Sequence, residues 1–75
     1  MIEEHTDFFL IKLNPELYEI DSVRQAFDIL KENSPAEFET GEYFKIKIKK
    51  SSNALENSYE FINLVLKIMK NRGVV

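Results

Sequence analysis

The segment AEFETGEYFKIKIKK, residues 36–50, decides the fold because two alternating runs flank a single glycine. In the second run, Phe44, Ile46 and Ile48 lie on one face of an extended chain, and lysines occupy the opposite face. In the first run, Phe38 stands between two glutamates and alternates in the same way. Two such runs separated by a short glycine-containing segment predict a β-hairpin with one buried face.

The register of this hairpin follows from the same alternation. A two-residue turn at Gly41 and Glu42 would place Phe38 opposite Lys45, which mixes the apolar and charged faces. A loop with an odd number of residues instead places apolar side chains opposite each other and glutamates opposite lysines. We therefore expect a loop of about three residues, with Lys45 and Lys47 exposed on the solvent side.

The segment DFFLIKL, residues 7–13, predicts a strand because it is short, aromatic and β-branched. Both of its faces are largely apolar, which is unusual for a strand with one solvated side. Phe8 and Leu10 fall on the face opposite to Phe9. These two side chains are expected on the face away from the helices.

A first helix is expected between this strand and the hairpin. Asp21 or Ser22 is the expected N-cap, and Ser22 with Gln25 fits a capping box. Apolar residues then recur at helical spacing, and Pro35 ends the helix because the residue before a proline avoids the helical region.

A second helix is expected within SSNALENSYEFINLVLKIMKNRG, residues 51–73, capped by Ser52 or Asn53 and stopped by Gly73. Its apolar residues form two adjacent stripes that together span roughly 220° of the helical wheel. The first stripe consists of Leu55, Tyr59, Ile62, Leu66 and Met69. The second stripe consists of Phe61, Leu64, Val65 and Ile68.

Two apolar stripes are more than one sheet face requires. A helix that packs on one sheet needs an apolar face only somewhat wider than about 100°. One stripe should therefore pack on the chain's own sheet while the other meets a partner. We expect the second stripe to meet the partner, so that the interface consists of Phe8, Leu10, Phe61, Leu64, Val65 and Ile68.

The order of elements, β-α-β-β-α, predicts a single α+β domain over residues 1–75. A crossover helix makes the first two strands parallel, and the third strand fits between them and antiparallel to both. The expected architecture is a two-layer sandwich with a split β-α-β arrangement and strand order 1-3-2. It is ferredoxin-like but lacks the last strand, so one edge beside the first strand is expected to be open.

Composition excludes several classes of protein. Ten basic and thirteen acidic residues give a net charge of −3, without the basic excess typical of nucleic-acid binders. The chain has no cysteine and one histidine, His5, so we expect neither a metal site nor a cofactor. The longest apolar-dominated run is far shorter than the roughly 20 residues that span a membrane. MIEEHTDFFL, residues 1–10, lacks the basic region of a signal peptide, so a cytoplasmic protein is expected.

Catalysis is not expected either. Glu37 and Glu39 lie side by side on an exposed strand face, where no pocket is expected to perturb their pKa values. The chain has only Gly41 and Gly73 as glycines and therefore no glycine-rich phosphate loop.

The segment FFLIKLNPELYEIDSVRQAFDIL, residues 8–30, followed by a charged hairpin and a helix, resembles a small protein family. That family is the D-type accessory protein of the His-Xaa-Ser peptide maturation system. The similarity consists of a strand and an LxPxxY turn, and then a helix that opens with an acidic residue and valine. The matching residues are Leu13, Pro15, Tyr18, Asp21 and Val23. The resemblance implies a companion of radical-SAM peptide-modifying enzymes and supplies no catalytic residues.

We therefore expect a non-catalytic homodimer that binds a protein or peptide, possesses no cofactor, and contacts neither nucleic acid nor membrane. The alternative is a regulatory domain that binds a small ligand at a dimer interface.

Overall fold

Six elements of secondary structure occur in the computed structural model, which describes residues 1–74. In chain order they are β1 (Ile2–Glu4), β2 (Phe8–Leu13), α1 (Ile20–Asn33), β3 (Ala36–Glu39), β4 (Phe44–Lys49) and α2 (Ala54–Asn71).

The four strands form one sheet in the order β1-β2-β4-β3, and every neighbouring pair is antiparallel. Because β2 and β3 both pair with β4, they are parallel to each other and are joined by the crossover helix α1. This confirms the α+β class and the split β-α-β arrangement, with the three expected strands in the expected spatial order.

The hairpin of β3 and β4 has the register that keeps its faces separate. Glu37 lies opposite Lys47, Phe38 opposite Ile46, and Glu39 opposite Lys45. This register corresponds to the odd loop expected from the alternation. The apolar side of β4 is buried and Lys47 is exposed, as expected.

Lys45 differs from the expectation because it is only half-buried. Strand β4 lies inside the sheet, and Lys45 is flanked by Lys12 on β2 and Glu39 on β3. Neighbours on both sides cover the aliphatic part of its side chain, while the ammonium group can reach solvent.

The edge beside β2, which was expected to be open, is occupied by β1. Ile2 lies opposite Ile11, and backbone hydrogen bonds of 2.9 Å join His5 N to Phe8 O and Lys12 N to Met1 O. The place of the absent last strand is therefore filled from the N-terminal end of the chain. Three residues with two glutamates carry too little alternation to be recognised as a strand in the sequence.

The start of α1 also differs from the expectation. The helix begins at Ile20 with Glu19 as N-cap, and the expected capping box between Ser22 and Gln25 does not form. Instead, the Ser22 hydroxyl donates a 2.5 Å hydrogen bond to Glu19 Oε1. The helix therefore starts two residues earlier than an Asp21 cap would place it, and three earlier than a Ser22 cap. Asn53 is the N-cap of α2, without a side-chain capping hydrogen bond.

Both helices cover the same face of the sheet, and the core lies between the two layers. They run antiparallel, so the start of each helix lies beside the end of the other. At one end, Asn57 Nδ2 donates to Ser34 Oγ over 2.8 Å. At the other end, Arg72 forms an ion pair with Glu19. These two polar contacts fix the alignment of α1 on α2.

Candidate interaction surfaces

The two stripes of α2 have exchanged the roles expected for them. Phe61 and Val65 are 2% and 0% exposed and belong to the chain's own core. Leu64 and Ile68 are half-buried and pack against that core. A partner cannot contact Phe61 or Val65 without unfolding the chain, so their expected place in an interface is corrected.

The apolar surface that α2 leaves exposed belongs to the first stripe. Leu55, Tyr59 and Leu66 are 46%, 58% and 42% exposed, and Ile62 between them is half-buried. We call these four residues the α2 seam. Met69, the remaining member of the stripe, is buried.

The position of the seam follows from the helical wheel. When angles around the helix axis are measured from the buried Val65, the seam residues lie about 60–120° to one side. Leu64 and Ile68 lie about 60–100° to the other side. Leu64 lines a small cavity together with Ile29 and Leu30 of α1, so that side faces α1. The seam is therefore the flank of α2 that points away from α1, toward the β1 edge of the sheet.

Charges along α2 are divided between its two ends. Glu56 and Glu60 lie in its first two turns, and Lys67 and Lys70 lie in its last two. All four are exposed. This division stabilises the helix through its dipole and also gives the seam an acidic end and a basic end.

The sheet face away from the helices carries Phe8 and Leu10, as expected, but both are covered by side chains of the same chain. The His5 ring stacks on Phe8 with centroids 4.6 Å apart and an interplanar angle of 12°. Lys47 Nζ lies 5.0 Å from the centroid of the Phe8 ring. Leu10 is 8% exposed between Glu3 and Lys47 on the adjacent strands. This face therefore offers much less apolar surface than two large residues suggested.

The lysines of β4 are not held in ion pairs by the glutamates opposite them. Within residues 1–74, the pairs Glu37–Lys47 and Glu39–Lys45 are aligned in register but do not approach within salt-bridge distance. The glutamate and lysine charges balance, but no ion pair between them fixes the side chains. The ammonium groups can therefore contact a ligand.

An open groove of about 790 Å³ lies where β2 and β3 begin and where β4 and α1 end. Three lysines and three carboxylates line it, together with the Phe8 side chain and the Asn33–Ala36 connection. The charged residues are Lys31, Lys47, Lys49, Asp7, Glu32 and Glu37. Such a groove suits a zwitterionic, extended ligand more than a single anion.

Two ion pairs fasten β1 to the rest of the sheet. Glu3 Oε2 lies 2.9 Å from Lys12 Nζ, and Glu4 Oε2 lies 2.7 Å from Lys50 Nζ. A hydrogen bond from Lys12, and a second one involving His5, lower the pKa of Glu3 below its ordinary 4.5. The hydrogen bond from Lys50 lowers the pKa of Glu4 in the same way. The edge strand is thus held by charge as well as by backbone hydrogen bonds.

A third carboxylate, Glu19, connects the two helices. It accepts hydrogen bonds from the Ser22 hydroxyl and from Arg72, and these lower its pKa below the ordinary 4.5. Arg72 Nη2 also lies 3.8 Å from Asp21 Oδ2. This cluster joins α1 and α2, and each of its polar groups is explained by that structural role.

The described residues contain neither a metal-ligand cluster nor a buried polar side-chain atom without a partner. Within residues 1–74, no three His, Asp or Glu side chains are placed to hold a metal ion. Every buried side-chain nitrogen or oxygen of the described chain has a hydrogen-bond partner, so none awaits a ligand. None of the helices described is long and apolar enough to cross a membrane.

Comparison of the chain with protein-family models, with curated proteins and with solved structures found no match.

Proposed function

We propose that this chain is a non-catalytic protein- or peptide-binding domain that acts as a homo-oligomer in the cytoplasm. The α2 seam is the observation that carries this proposal. It is a continuous apolar surface on one helix flank, and of its four residues only Ile62 packs against the chain's own core. A small domain gains stability by covering such a surface through association.

The groove at the end of the sheet supports the peptide-binding part of the proposal. Charges of both signs line it beside an aromatic ring and form no salt bridge within residues 1–74, which suits a peptide backbone with charged side chains. The resemblance to the D-type accessory protein adds a candidate class of peptide, the His-Xaa-Ser repeat. In this proposal the domain presents such a peptide to a modifying enzyme and performs no chemistry itself.

A small-ligand-binding regulatory domain is the second candidate, and the volume of the same groove favours it. An open groove of about 790 Å³ is within the size range of small-molecule clefts. None of its lining residues belongs to the α2 seam, so a ligand bound there would lie outside a contact made by the seam.

Sedimentation velocity over a range of micromolar concentrations tests the oligomer. We expect a mass above 8.8 kDa that falls on dilution. The variant Tyr59→Glu should sediment as a monomer, and Lys45→Glu, on the opposite side of the molecule, should behave as wild type. A wild-type monomer at every concentration would contradict self-association.

Titration of the ¹⁵N-labelled protein tests the ligand. A synthetic His-Xaa-Ser repeat peptide should shift the amide signals of Phe8, Lys47 and Lys49, and a peptide of scrambled sequence should shift them less. Signals that respond instead to small zwitterionic metabolites, with a raised melting temperature, would favour the regulatory domain. An absence of shifts with either kind of probe would contradict both candidates for the groove.

A further inference from the structure

The spacing of the α2 seam is compatible with packing against a second helix. Leu55, Tyr59, Ile62 and Leu66 follow one another at intervals of four, three and four residues. This is the spacing at which helices pack side chains into the holes of a second helix. The buried stripe of α2, Ala54, Ser58, Phe61 and Val65, has the same spacing and packs in the chain's own core, so the spacing admits a helix and the charges beside the seam select the partner.

We infer that the α2 seam packs against the α2 seam of a second copy, antiparallel, about a twofold axis that runs between the two helices. This inference rests on the proposed self-association and specifies its geometry. Leu55 of one copy then lies opposite Leu66 of the other, and Tyr59 lies opposite Ile62. A twofold axis makes both halves of this contact identical, as in most soluble dimers.

Charge decides between the antiparallel and parallel arrangements. In the antiparallel dimer, Glu56 at the acidic end of one seam lies beside Lys67 of the second copy. A parallel dimer would instead bring the acidic ends of both seams together at one end of the contact and the basic ends together at the other, which is less favourable. The helix dipoles also favour the antiparallel arrangement, since each positive end then adjoins a negative end.

The β1 edge lies on the same flank of the molecule and contributes a second element to the contact. The backbone hydrogen bonds from His5 N to Phe8 O and from Lys12 N to Met1 O fix the alternation along β1, so the backbone groups of Ile2 and Glu4 point away from β2. The twofold axis brings two such edges together in antiparallel orientation. The carboxylates of Glu3 and Glu4 oppose close approach, but each is already paired with a lysine of its own chain.

The size of the seam predicts a weak dimer. Eleven residue steps from Leu55 to Leu66 span about 16 Å at 1.5 Å per residue. That is a small part of the roughly 800 Å² per partner in a stable interface, even with a three-residue edge added. We therefore expect dissociation in the micromolar range.

Disulfide cross-linking measures the arrangement directly, because the natural chain contains no cysteine. An equimolar mixture of Leu55→Cys and Leu66→Cys should form a mixed cross-linked dimer under mild oxidation. Neither variant alone should cross-link with itself, because the antiparallel geometry separates equivalent positions by about 16 Å along the helix. Efficient Leu55→Cys self-cross-linking would overturn the antiparallel arrangement.

Charge exchange provides an independent test in the folded chain. Glu56→Lys and Lys67→Glu should each weaken dimerisation by at least about threefold, and the double variant should restore it. Asp28→Lys on α1 is the matched control and should leave the dissociation constant unchanged. Circular dichroism checks that every variant is folded.

The outcomes separate this inference from the proposed function. If the Leu66→Glu variant still dimerises, the seam contact is wrong but self-association stands. The same holds if the charge-exchanged double variant dimerises no better than the two single variants. A monomeric wild-type chain overturns both.

Discussion

Arg72 and Glu19 are 53 residues apart in sequence and form a two-point ion pair between the end of α2 and the start of α1. Arg72 Nε lies 2.9 Å from Glu19 Oε1, and Nη2 lies 3.2 Å from Oε2. Glu19 is also the N-cap of α1, so this contact joins the first residue beside α1 to the end of α2.

Replacing Arg72 by methionine should lower the melting temperature slightly, because a two-point pair between the helix ends is lost. The pair is largely exposed, so solvent screening keeps the effect small. Thermal unfolding followed by circular dichroism measures it, with Arg24→Met as an exposed control on α1. If Arg72→Met also lowers the melting temperature in a Glu19→Gln background by the same amount, the two residues are not coupled.

Stability should decrease as the pH falls below about 4.5. The pKa values of Glu3, Glu4 and Glu19 are all lowered from 4.5 by partners in the folded chain. Each charged carboxylate thus contributes stability above its unfolded pKa, and this is lost as the pH falls through the folded value. Urea unfolding at a series of pH values measures the slope, and Glu3→Gln with Glu19→Gln should reduce it. A slope that the double variant does not change would contradict this assignment.

Phe61→Ala should destabilise the fold by about 3–5 kcal/mol, because it removes a fully buried aromatic ring and leaves a cavity. That is comparable with the whole stability of a small domain, so the variant should be largely unfolded. Leu17→Ala, at an exposed position, is the control and should be close to neutral. If the Phe61→Ala protein stays folded but its self-association changes, Phe61 lies in a subunit interface instead.

Asn57→Ala should cost about 1 kcal/mol, since it removes the 2.8 Å hydrogen bond to Ser34 at the other junction of the helices. Urea unfolding measures the loss, and Asn63→Ala on the exposed side of α2 is the matched control. The effect should nearly vanish in a Ser34→Ala background. Equal losses with and without Ser34 would contradict a role for this hydrogen bond, because helix propensity alone would favour the alanine.

The chain should show no salt-dependent affinity for single-stranded RNA or DNA at physiological ionic strength. Lysines on the sheet face away from the helices lie among glutamates, and the net charge is −3. Fluorescence anisotropy with a labelled oligonucleotide measures this. Glu37→Gln with Glu39→Gln should raise whatever weak affinity exists. If the wild type binds with micromolar affinity and this affinity falls steeply with salt, the glutamates do not neutralise the lysine charges.

Local alternation was sufficient to predict the hairpin. A period of two residues assigns Phe38 and Ile46 to one face whatever surrounds them, and parity then restricts the register to the one found. The same reasoning gave the two helices and the order of β2, β4 and β3, because crossover handedness leaves few arrangements of these elements.

Long-range packing decided what the sequence left undetermined. The helical wheel of α2 shows two apolar stripes of similar strength, and only the positions of α1 and the sheet select Phe61 and Val65 as core. That selection exposes Leu55, Tyr59 and Leu66 and so places the candidate interface. The β1 strand likewise depends on its distant partners Lys12 and Lys50, because three residues alone have too little periodicity or propensity to specify a strand.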